Sequence, residues 1–129
     1  MDFTYPKNEK LKSNKTIDLL FSKGKSVTKY PLRLVYVETS TEDIYLKFGV
    51  SVSKKHFKKA VDRNYYKRVL RECYRLNKNL LHNNLNKSYA MMFFYQTKDR
   101  LSYQEIHEKT IQLFQKWITM LNEENKTES

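Results

Sequence analysis

The chain is poor in the residues that make loops, staples and membrane spans. It has two glycines, two prolines and one cysteine, Cys73. So little Gly and Pro argues against a loop-dominated or low-complexity protein. A single cysteine excludes an internal disulfide and gives no sign of export. No apolar run approaches the roughly 18 residues of a spanning helix, and the opening MDFTYPKNEK lacks the charged-then-apolar order of a signal peptide. The expected location is the cytoplasm, with no membrane partner and no protein partner evident.

The tools of catalysis are also scarce. There is no P-loop, and two glycines could not supply a GxGxxG. His56, His82 and His107 are scattered, and none has a cysteine or carboxylate at metal-ligand spacing. Acidic residues gather around Glu42 and Asp43 and toward the C-terminus, whereas a two-metal nuclease needs carboxylates converging on one cleft. No catalytic residue and no metal ligand is therefore assigned. Cys73 falls on the apolar side of its helix, which favours a buried structural thiol over a nucleophile.

What the chain does have is positive charge and tyrosine. Its 129 residues carry a net charge of +11 and include ten tyrosines; 40% are hydrophobic, enough to build the core of one domain. Clustered Lys and Arg gain most where they displace counterions from phosphates, so a polyanionic partner is expected. The expected organisation is a single domain over residues 1–129, with a basic N-terminal arm at 1–12 and a frayed tail, NEENKTES, at 122–129.

Periodicity supplies the elements. SNKTIDLLFSKGKS reads as a short helix capped by Ser13 or Asn14, with Ile17, Leu20 and Phe21 as its stripe and Gly24 as a left-handed stop. PLRLVYVE and DIYLKFGVSVS read as strands joined by a polar turn. In the second, Ile44, Leu46, Phe48, Val50 and Val52 face one way. Tyr45, Lys47, Gly49, Ser51 and Ser53 face the other, either as a solvated outer surface or as a ligand-facing groove. SYAMMFFYQT, at 88–97, is apolar on both faces, as in a strand covered on both sides. Ser102 and Glu105 form a capping box that opens a last helix, with Ile106, Thr110, Leu113, Phe114, Trp117 and Leu121 inward. The order, helix, two or more strands, helix, strand and helix, predicts an α+β sandwich with three helices and a βαβ crossover.

The middle helix is the unusual one. From about Lys59 the period becomes helical, and at about 100° per residue Val69, Leu70, Cys73 and Asn77 lie near Tyr66, while Asn64, Lys67, Arg68, Arg71, Arg75 and Lys78 point away. Residues 54–78 hold ten Lys or Arg against two acids, Asp62 and Glu72. Like charges one turn apart repel, and solvated faces normally interleave signs, so helix stability does not explain this pattern. A rigid row of guanidinium groups suits the phosphates of folded nucleic acid, and Asn64 suits a base edge, a 2′-hydroxyl or a hydrated metal ion.

The string FGVSVSKKHFKKAVDRNYYKRVLRECYR resembles the signature region of the protein subunit of bacterial ribonuclease P, a strand ending in S-x-S-K-K followed by a helix bearing A-V-x-R-N-x-x-K-R-x-x-R. LLFSKGKS and DRLSYQEI also fall where that family has similar segments. Two departures stand out. Tyr65 occupies a position where the family commonly has Arg, and His56 and Phe57 replace an aliphatic-Gly pair.

The resemblance implies a two-layer α/β sandwich with a mostly antiparallel sheet of about four strands and a left-handed crossover, against the usual right-handed rule. It implies a subunit of a ribonucleoprotein endoribonuclease. That subunit binds the catalytic RNA and the 5′ leader of precursor transfer RNA, while the RNA performs hydrolysis with magnesium that it mainly binds itself. Lys54, Lys55, Arg63, Asn64, Lys67, Arg68 and Arg71 would face the RNA, with Arg75 continuing the same cationic side. Ile17, Phe21 and Val35 would line the leader groove. The competing readings are a generic basic module, such as a ribosomal or DNA-binding protein, and a self-sufficient nuclease. Neither a helix-turn-helix nor a dimer seam is evident in support of DNA binding.

Overall fold

The computed structural model describes residues 10–11, 14–39, 46–85 and 87–128, with side chains as far as 124. Its elements are α1 (Asn14–Lys23), β1 (Lys25–Lys29), β2 (Leu32–Thr39), β3 (Leu46–Val52), α2 (Ala60–His82), β4 (Ser88–Tyr95) and α3 (Tyr103–Glu128). The strands form one mixed sheet in the order β1-β2-β4-β3. β1–β2 and β2–β4 are antiparallel, and β3–β4 is parallel, with α2 as the crossover between them. β4, apolar on both faces, is a central strand, as its pattern predicts.

The pleat divides the sheet's side chains between two cores. Leu34, Tyr36, Phe48, Met91, Phe93 and Tyr95 join α2 and α3 in the main core. On the opposite face Leu20 of α1 packs on Val35 and Ala90. The expected sandwich of one sheet and its helices is present, with α1 adding a partial layer behind it. The α3 stripe from Ile106 through Leu121 is wholly buried. Its capping box is formed: Glu105 N–H donates to Ser102 Oγ at 3.2 Å, and Ser102 N–H to Glu105 Oε1 at 3.2 Å.

Several expectations need correction. Gly24 is not left-handed, since no glycine has positive φ. It is required by space instead, because a Cβ there would stand 2.2 Å from the carbonyl oxygen of Leu20 and 2.9 Å from Val35 Cγ1. Lys78 does not share the open cationic face: it is buried, because the inward stripe rotates along α2 to take in Tyr74, Lys78 and Leu81. α3 continues through Glu128, where a frayed tail was expected, and Glu124 pairs with Lys25 of β1 at 3.5 Å. β1 is an unanticipated edge strand. KSVTK has one inward apolar residue, Val27, too sparse a pattern to read, and its flanking lysines suit an edge. Ser13, Ile44 and Tyr45 lie outside the described residues, as does most of the arm; Leu11 N–H donates to the Phe48 carbonyl at 3.1 Å, laying the arm's end along β3.

Candidate nucleic-acid interface

The start of α2 is set by an aromatic stack. Phe57 lies on Tyr66 at 4.8 Å between centroids, and Tyr66 on Tyr95 at 4.7 Å, both nearly parallel. Phe57 is buried, so the departure at His56–Phe57 anchors the loop before α2 in the main core. Arg100 covers the Phe57 ring at 5.4 Å and holds Asp62 of the first helical turn through both carboxylate oxygens, at 3.4 and 3.2 Å. That guanidinium holds the Asp62 carboxyl below its ordinary value. Ser53 closes the preceding turn, its Oγ accepting from Lys55 N–H at 3.1 Å and its carbonyl from His56 N–H at 3.2 Å. Lys54 and Lys55 are left exposed at the foot of the helix.

The cations assigned to this interface separate into two groups. Asn64, Lys67, Arg68 and Arg71 follow one another along the outer side of α2, and none is hydrogen-bonded or ion-paired to another described residue. Arg63 and Arg75 are engaged within the chain. Arg63 Nη1 donates to the carbonyls of Phe57 and Lys58, at 2.8 Å each, tying the loop to the helix. Arg75 Nε donates to Glu72 Oε2 at 3.1 Å, and its guanidinium holds the Glu72 carboxyl below its ordinary value. The free cationic surface is therefore narrower than the motif, although Arg75, at the end of the row, still adds to its potential. Cys73 is buried, and burial pushes its thiol up to about 11, the state of an inert side chain.

Behind the sheet lies a second surface. Facing residues across the strands form the row Thr28, Arg33, Phe94 and Ser51, which α1 leaves partly open. Phe21 of α1 is 65% exposed and faces Phe94 with centroids 6.4 Å apart. Ile17 is half-buried on the same helix. Val35 is not available to a ligand: it is packed beneath α1, because Gly24 lets the chain turn directly over it. Phe94 takes its place on the open surface. The strict alternation of β4, Phe93 inward and Phe94 outward, is the signal that identifies it. Lys47, Gly49 and Ser51 lie on this same face of the sheet, paired with Ala90, Met92 and Phe94. Arg71 helps line an adjoining hollow of about 420 Å³ with Lys10, Leu11, Gly49, Val50 and Met92. The cationic side of α2 thus continues onto the sheet face.

The profile of the family described as Ribonuclease P matches residues 5–118. The chain belongs to the ribonuclease P protein family. It is 42% identical over 102 residues to the ribonuclease P protein component of Porphyromonas gingivalis (strain ATCC BAA-308 / W83), covering 77% of this chain and 74% of that one. It is 36% identical over 112 residues to the component from Clostridium botulinum (strain Langeland), covering 85% and 95%. The RNase P protein from Thermotoga maritima superposes with a TM-score of 0.68 at 25% identity, over 84% of this chain and 96% of that one. The Staphylococcus aureus RNase P protein has the same fold, with a TM-score of 0.68 at 21% identity over 83% and 93% of the two chains. Membership makes the chain a ribonuclease P protein component rather than a ribosomal or DNA-binding module.

Proposed function

We propose that this ribonuclease P protein works through two joined surfaces, one for the catalytic RNA and one for the 5′ leader of precursor transfer RNA. The observation that carries the first is the row of Asn64, Lys67, Arg68 and Arg71 on a helix whose other side is locked in the core, with no acid of the described chain answering it. Folded RNA brings phosphates close together, and a rigid row of cations gains by releasing their counterions without first having to be ordered. Lys54 and Lys55 extend the row, Arg63 holds the loop that presents them, and Arg75 contributes at the far end. The leader, a single strand of varying sequence, calls for stacking and backbone contact rather than base readout. Phe21, Phe94 and Arg33 supply rings and a cation beside the half-buried Ile17.

Hydrolysis is assigned to the RNA. Among the described residues no group of three His, Cys, Asp or Glu is placed to hold a metal ion, and the exposed side of α2 is cationic. In this reading the RNA subunit binds most of the magnesium, and the cationic outer side of α2, which repels a divalent cation, supports it. The protein's work is to bind, to orient the leader and to lower repulsion between the two RNAs, which favours magnesium binding by the assembly. The test is reconstitution with the RNA subunit of the same organism. Cleavage of precursor transfer RNA at low magnesium is expected to need both components, and turnover by the protein alone would refute the assignment.

A further inference from the structure

Resting on that reading, the geometry points to a separate stacking site on the RNA-facing side, a shallow apolar depression between α2 and α3 that takes one unpaired nucleobase of the RNA subunit. Tyr65, Arg68, Val69, Glu72 and Tyr103 line it, enclosing about 270 Å³. Its walls are mostly ring and aliphatic atoms. Five large apolar or aromatic side chains stand exposed among the described residues, and two of them, Tyr65 at 46% and Tyr103 at 39%, border this one depression. Surface tyrosines are ordinary singly, but two facing one hollow from different helices present ring surface that no other described part of the chain covers.

Charge selects the occupant. The depression opens beside Arg68, in the row assigned to phosphates, so a strand held there has its bases within reach of the rings. Glu72 at the rim is already held by Arg75 and adds little repulsion. Both tyrosines are held in place. Tyr65 meets the buried Tyr66 edge-on at 4.9 Å, and Tyr103 lies 5.8 Å from the His107 ring. Rigid rings lose little freedom on stacking, and stacking accepts any base.

The test uses the full-length protein and the in vitro transcribed RNA subunit of the same organism. Tyr65→Leu, Tyr103→Leu and the ring-retaining Tyr65→Phe and Tyr103→Phe are compared by affinity across a salt series, by thermal melting and by base-specific chemical probing of the bound RNA. Each Leu variant is expected to bind about fivefold to a hundredfold more weakly, with the salt slope of wild type, and each Phe variant close to wild type. One RNA base is expected to be protected by wild type and exposed by either Leu variant. Leu variants that bind as tightly as wild type, or a loss that the Phe variants share, would overturn the stacking site while leaving the α2 reading intact. A wild-type protein showing no preference for the RNA subunit over duplex DNA would overturn both.

Discussion

Arg63 Nη1 lies 2.8 Å from the carbonyl oxygen of Phe57, so a cation of the family motif serves the fold. Arg68, five residues on, touches no acid or carbonyl among the described residues. One motif thus holds two kinds of arginine, and mutation should separate them. Arg63→Ala is expected to destabilise the domain by about 1–2 kcal/mol, since a charge-assisted bond to two carbonyls is lost at a partly exposed site. Arg68→Ala should leave the melting temperature nearly unchanged, weaken binding to the RNA subunit, and flatten the slope of log affinity against log salt by under about one unit. Denaturant melts and salt titrations of both variants check this.

Glu72 offsets part of the cationic surface. Glu72→Gln removes its charge and releases Arg75, so RNA affinity should rise severalfold at low salt, with a salt slope steeper by up to about one unit. Unchanged affinity would mean that Arg75 lies off the contact surface.

The tie between Asp62 and Arg100 predicts a pH dependence. Because the folded carboxyl titrates below its ordinary value of 3.8, the unfolded chain binds the proton first as pH falls. The contribution is fully present above the unfolded value and disappears as pH drops through the folded one. Wild type should therefore be more stable than Asp62→Asn near neutrality, and the gap in melting temperature should narrow as pH falls below 3.8 and close once the folded carboxyl is protonated.

Gly24→Ala tests close approach. A Cβ 2.2 Å from the Leu20 carbonyl oxygen distorts the last turn of α1, and at 2.9 Å from Val35 Cγ1 it pushes that end away from β2, at a cost on the order of 2 kcal/mol. Urea denaturation should show the loss, and leader binding should fall with it, because α1 carries Phe21.

Phe21→Ala should act the other way round. At 65% exposure the ring contributes little to folding, so stability should hold while the preference for precursor over mature transfer RNA falls, by up to about tenfold for one lost stacking contact. A preference equal to wild type would remove Phe21 from the leader surface.

Much of this was legible along the chain because it depends on short-range periodicity. The α3 stripe, its capping box and the two-faced strand β4 each obey a repeat of 3.6 or 2, and the unbalanced cations of α2 lie within about five turns. Local pattern was therefore enough for the helix and strand types, for the surplus of charge on one side of α2, and for the family signature. It could not tell which cations the fold would use internally. Arg63 finds carbonyls in a loop placed by Phe57, Tyr66 and Tyr95, and Lys78 enters the core because the buried stripe drifts around the helix. Both outcomes depend on contacts between segments distant in sequence. The same holds for Val35 and Phe94. Alternation puts them on one face of the sheet, but only the packing of α1 on that face buries the first and leaves the second open to a ligand.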